Sequence, residues 1–228
     1  MSDSVDVLEL RQYTVRSGMR DRLPRLFREH FIAAQEAVGA RILGTFFDLD
    51  DPDRFVWVRG YGDVAMRGPA LRAFYGGDVW KAHRDAANAA IVDSDNALLL
   101  RALPGAGFGP EPLRDGVWRV SIRSLGGVDV AAFVRWFGER FVSLVGACGA
   151  AVIARYLTEC EPNDFPALLV RDETNLVWFS RFPDARAEHE FSAALAGMSG
   201  WRDDAPPNIL PALMRKPEVL RLVPVSER

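Results

Sequence analysis

One stretch of this chain occurs twice, and that duplication limits the possible fold more than any other feature. The first copy reads Phe55-Val56-Trp57-Val58-Arg59-Gly60-Tyr61, then Asp63, then an alanine-rich segment ending at Trp80. The second reads Leu176-Val177-Trp178-Phe179-Ser180-Arg181-Phe182, then Asp184, and ends at Trp201. Both Trp-to-Trp separations are 23 residues, and Val56/Val177, Asp63/Asp184, Ala73/Ala194 and Gly76/Gly197 coincide at the same offset of 121. Earlier parts of each half align at an offset of 110, through Leu23/Phe133, Phe27/Phe137, Phe31/Phe141 and Gly39-Ala40/Gly149-Ala150. The second copy therefore carries an 11-residue insertion between about Thr158 and Asn175. Its Glu, Asp, Asn and Pro content suits a surface loop.

The order of elements repeats as well. Residues 7–15 alternate as a strand does. Between Met19 and Val38 the apolar residues recur at three- and four-residue steps, which predicts an amphipathic helix closed by Gly39. Residues 40–48 and 54–61 are strands joined by the turn Asp50-Asp51-Pro52-Asp53. Asp63 is placed to cap a helix reaching about Tyr75. A further helical piece runs from Asp78 to about Ile91, and residues 96–103 form a last strand. This is β-α-β-β-α-β, the ferredoxin-like unit. Residues 104–116 hold three Pro and four Gly and read as a linker. The pattern then restarts, so the expected organisation is a first unit at 7–103, a linker at 104–116 and a diverged repeat at 117–225.

A ferredoxin-like sheet covered on one face by helices must bury the other. Two units can press those faces together into an eight-stranded antiparallel barrel. The expected fold is thus α+β: two tandem ferredoxin-like units closing a barrel within one chain. The alternative is that each half pairs with a half of another chain, giving a homodimer. Uniformly apolar registers (Leu8/Leu10, Val56/Val58, Leu98/Leu100) are expected beneath the helices. The opposite registers (Glu9/Arg11/Tyr13, Trp57/Arg59/Tyr61, Leu99/Arg101) are expected to line the lumen. Buried charge must be paired or solvated, so a lumen of this kind is either a self-satisfied network or a wet pocket for an anionic or carbonyl-bearing small molecule.

Composition narrows the partners. A net charge of −3, with arginines scattered among acids, gives no basic face for nucleic acid. No apolar run approaches the ~20 residues of a membrane span. Met1 to Asp6 is short and acidic, unlike a secretory signal, so a cytoplasmic location is expected. Cys148 and Cys160 form neither a metal spacing nor a disulfide framework. His30, His83 and His189 fall on separate elements, so no metal is expected.

The segments Glu9-Leu10-Arg11-Gln12-Tyr13-Thr14, Phe55-Val56-Trp57-Val58-Arg59-Gly60-Tyr61 and Trp80-Lys81-Ala82-His83-Arg84, followed by Asp93-Ser94-Asp95-Asn96, resemble the NIPSNAP family. That family is built on the dimeric α/β-barrel (ferredoxin-like) superfamily. The resemblance is carried by the first half, since Arg11, Tyr13, Arg59 and His83 align with Ser121, Arg123, Ser180 and Asp204 in the second. It implies the fold, while the family brings no single agreed reaction. The superfamily includes cofactor-independent monooxygenases, small-lactone isomerases and haem-binding members. No cofactor is expected, with haem ligation by His83 or His30 left open. As an enzyme, the chain would use His83 as general base and Tyr13 as oxyanion donor, with Arg11, Arg59, Arg101, Trp57 and Trp80 holding the substrate. As a non-catalytic binder, it would use the same barrel as a stable core, with His83 closing a helix contact.

Overall fold

Eight strands close into one antiparallel barrel, to which each half of the chain contributes four. The computed structural model describes residues 4–198 and 200–225. The first half supplies β1 (Val7–Val15), β2 (Arg41–Asp48), β3 (Arg54–Tyr61) and β5 (Ala97–Ala102). The second supplies β6 (Val117–Ser124), β7 (Val152–Thr158), β8 (Asn175–Phe182) and β9 (Glu218–Pro224). Around the ring the order is β1-β3-β2-β9-β6-β8-β7-β5 and back to β1; the short β4 (Ile91–Asp93) hangs on β1. The barrel is closed within the single chain.

Helices cover the outside. In the first unit α1 (Arg22–Leu26) and α2 (Ile32–Glu36) are joined by a π-turn at Phe27–Phe31, and α3 (Val64–Gly76) leads into α4 (Asp78–Ala90). In the second, α5 (Val130–Trp136) and α6 (Val142–Ala147) flank a π-turn at Phe137–Phe141, followed by α7 (Ala185–Gly197) and α8 (Leu210–Met214). The duplication is visible in detail. Asp63 accepts a hydrogen bond from the Met66 amide at 2.9 Å, and Asp184 from the Ala187 amide at 2.8 Å. These caps satisfy helix donors that have no partner in their own helix. Bulges at Ile42/Gly44 and Val152/Ala154 fall at equivalent positions. Gly39 (φ +98°) and Gly149 (φ +92°) take the left-handed conformation that ends both first helices.

The two faces of the sheet are exchanged relative to the sequence expectation. Leu8, Leu10, Val56, Val58, Leu98 and Leu100 join Trp118, Val120, Tyr156, Phe179 and Leu220 in one buried cluster drawn from all eight barrel strands. Only the interior of the ring brings those strands together. Glu9, Arg11, Tyr13, Trp57 and Arg59 lie on the opposite face, beneath the helices. The reason is geometric: an eight-stranded barrel is just wide enough for side chains to fill it. Residues outside the strands join this core as well. Phe108, from the segment read as a linker, packs against Trp118, Tyr156 and Phe179. Its amide donates to the Tyr156 hydroxyl at 2.8 Å, which donates in turn to the Val5 carbonyl at 3.1 Å. The lumen is filled by these apolar side chains, and the charged register expected there lies on the other face.

Candidate functional site between sheet and helices

In the first unit the charged register meets the helix layer and forms one buried network. Glu9 and Arg59 face each other across the β1–β3 pairing. The Glu9 carboxylate accepts from Arg59 Nη2, from Arg67 Nε at 2.6 Å and from Arg11 Nη1 at 3.5 Å. All four side chains are at most 1% exposed. Burial alone would push the Glu9 carboxyl up. Arg59, Arg11 and Arg67 outweigh it and hold the group at about 2. Arg59 also donates to Gln35 at 2.6 Å. Arg67, on α3, reaches Asn163 at 3.0 Å and pairs with Asp164.

Asn163 and Asp164 belong to the 11-residue insertion of the second unit. Expected to be a surface loop, this segment is a strap laid over the first unit. Phe165 stacks on Tyr75 with ring centres 5.7 Å apart. A side chain at Gly68 would collide with Asp164 at 2.3 Å, so glycine on α3 admits the strap.

Beneath the strap, beside the ion network, lies a cavity of about 120 Å³. Tyr13, Trp57, Phe31, Phe74, Tyr75 and Trp80 supply its aromatic wall, and Leu168 of the strap is at its edge. Arg11 Nε donates to the Tyr13 oxygen at 3.1 Å, which leaves the hydroxyl proton free to point elsewhere. The Trp57 indole nitrogen is buried with no acceptor among the described residues. Burial pushes the Tyr75 phenol up to about 12, keeping it neutral.

The structure therefore brings together Tyr13, Trp57 and Trp80 at one cavity, with Arg11 and Arg59 in the network beside it. Arg101 is elsewhere. It is 43% exposed and pairs with Glu159 at 2.7 Å, in an open groove beside the β5–β7 seam. His83 also lies outside the cavity wall. Its ring stacks on His30 at 3.7 Å and 10°, a contact between two helices. Sequence reasoning missed Gln35, Arg67, Tyr75 and the strap residues. One signal pointed to Arg67. Its repeat partner is Glu188, while that of Glu9 is Arg119, so the pair Glu9–Arg67 recurs with its charges exchanged as Arg119–Glu188. Among the described residues no group of three or more His, Cys, Asp or Glu is placed to hold a metal. No helix among them is long and apolar enough to cross a membrane.

No family model and no curated relative matches the sequence. Solved structures do resemble the fold. An anthrone oxidase-like protein aligns over 99% of this chain and 94% of its own, with TM-score 0.61 and 11% identity. A protein from Fusobacterium nucleatum, provisionally described as a monooxygenase, aligns over 98% and 94%, with TM-score 0.56 and 10% identity. The structural neighbours include several NIPSNAP family proteins. One from Agrobacterium tumefaciens covers 45% of this chain and 90% of its own, with TM-score 0.41 and 21% identity. The full-length likenesses show the fold: a dimeric α/β barrel whose two units here share one chain.

Proposed function

We propose that the first unit binds a small carbonyl-bearing organic molecule in the cavity under the strap and promotes proton loss beside its carbonyl. The observation that carries this reading is the buried Trp57 indole N–H with no acceptor. A donor buried without a partner costs free energy, and a carbonyl oxygen in the cavity would supply one. Tyr13, held from behind by Arg11, offers a second donor to the same wall. Together they would hold the oxygen of an enolate as its charge develops. A substrate whose α-proton is already acidic would lose it to water, and the enolate would then isomerise by reprotonation at another carbon or react with molecular oxygen as co-substrate in a cofactor-free oxygenation. The likeness to an anthrone oxidase-like protein and to a provisional monooxygenase supports this class at the level of fold alone.

Cavity size narrows the substrate. An apolar cavity of ~150 Å³ holds benzene, so about 120 Å³ favours a substrate of one small ring at most. The test is α-proton exchange into deuterated water, followed by NMR over a panel of single-ring enones and lactones. Wild type should accelerate exchange for at least one member. Tyr13→Phe should slow it ~100-fold, as loss of one oxyanion donor does. Equal rates in wild type, Tyr13→Phe and Trp57→Phe would defeat the reading.

A second reading, a non-catalytic binder, is favoured by the ion network. Glu9, the β1 carboxylate on which Arg11, Arg59 and Arg67 converge, is held ionised and engaged and so is a poor base. Calorimetric binding of a panel member without exchange would select it.

A further inference from the structure

The second unit repeats the cavity with different chemistry. Between β6, β8 and α7 lies a space of about 250 Å³, lined by Phe141, Trp178, Leu195 and Trp201 on its apolar side. Ser121 and Ala196 line it at the positions equivalent to Arg11 and Tyr75 of the first unit. No strap covers it, since the equivalent hairpin of the first unit is the short turn between β2 and β3.

Its charged lining is cationic. Arg119, Arg123, Arg202 and Lys216 line the space, and no carboxylate among the described residues does. Arg119 is satisfied by Glu188, which also takes Arg221 at 2.6 Å. Arg123 occupies the place of Tyr13 and is 5% exposed, yet it has no acidic partner among the described residues. Its Nη1 donates only to the backbone carbonyls of Ala212 and Arg215, both at 2.7 Å, and Leu213 at 3.5 Å. Arg202 lies over the Trp201 ring at 4.3 Å rather than on an acid. Burial and the nearby Arg202 charge push Arg123 down to about 10, the reverse of the effect an acid would have. A buried guanidinium with donors to spare and no counter-ion is arranged for an anion. The aromatic wall beside it is arranged for an apolar body.

We propose that this second cavity binds a small organic carboxylate, its charge meeting Arg123, Arg202 and Lys216 and its body lying on Trp178, Phe141 and Leu195. The proposal is independent of any reaction in the first unit. Isothermal titration of the full chain with benzoate tests it, with inorganic phosphate as the bare anion and benzyl alcohol as the uncharged body. Benzoate should bind with one-to-one stoichiometry and roughly 10-fold tighter than either control. Arg202 and Lys216 are exposed, so the double variant Arg202→Gln/Lys216→Gln should fold normally and lose about 10-fold in benzoate affinity. Tyr13→Phe, in the other unit, should leave benzoate binding unchanged. The proposal is overturned by no heat at millimolar benzoate, by phosphate binding as tightly as benzoate, by an unchanged double variant, or by loss of binding in Tyr13→Phe.

Discussion

At the scale of single residues, Glu9 decides whether the first unit's charged register can be buried at all. Three guanidiniums converge on it, and without it they would be like charges packed together. Glu9→Gln should therefore destabilise the fold by roughly 3–5 kcal/mol, the usual cost of breaking a buried pair. Urea denaturation would measure this. The pH dependence has a definite sign. The folded-state pKa is depressed, so the contribution is complete above the unfolded value near 4.5 and is lost as pH falls toward about 2. Wild type should lose stability across that window more steeply than Glu9→Gln; parallel profiles would contradict it. The sequence showed which residues alternate with which on β1 and β3, since period two is a local property. It could not show which register faces inward, because both faces of this sheet are covered. Nor could it place His83: its helical face was legible, but its neighbour His30 comes from a different helix.

The elements show what the duplication kept and what it changed. Caps, bulges, π-turns and left-handed glycines recur at offsets of 110 and 121; the Asp caps and closing glycines were legible from one alignment of the chain with itself, whereas the bulges and π-turns carried no residue signature. The strap was legible only as extra length. Its polar, proline-containing sequence is what any exposed loop has, and nothing local reports that Phe165 meets Tyr75 or that Asp164 meets Arg67. Those contacts span the two units. Phe165→Ala removes the ring contact and leaves the barrel intact. Amide exchange across residues 163–170 should accelerate about 10-fold, a loss of roughly 1.4 kcal/mol of local stability. Exchange in β1 and β3 should not change. Mass-spectrometric hydrogen exchange reads both, and equal acceleration in the strands would show that the strap supports the barrel itself.

For the whole molecule, two narrow seams and one broad core hold the units together. The β2–β9 and β5–β7 pairings each join three residue pairs, against eight for β1–β3 within the first unit. Most of the union therefore rests on the apolar lumen, with Phe108 in its core. A first unit expressed alone through residue 112 should expose Leu8, Leu10, Val56 and Val58 and associate with itself. Light scattering should give a dimer or larger mass; a folded monomer would show that lumen packing is dispensable. The strap adds a consequence in time. A nascent chain completes the first unit's strands long before residues 163–168 leave the ribosome. Until they do, Arg67 lacks Asn163 and Asp164, and the aromatic cavity is unroofed. Any product truncated before the strap would leave that cavity unroofed. The second half thus finishes the first, and the cavity is roofed only once residues 163–168 have emerged.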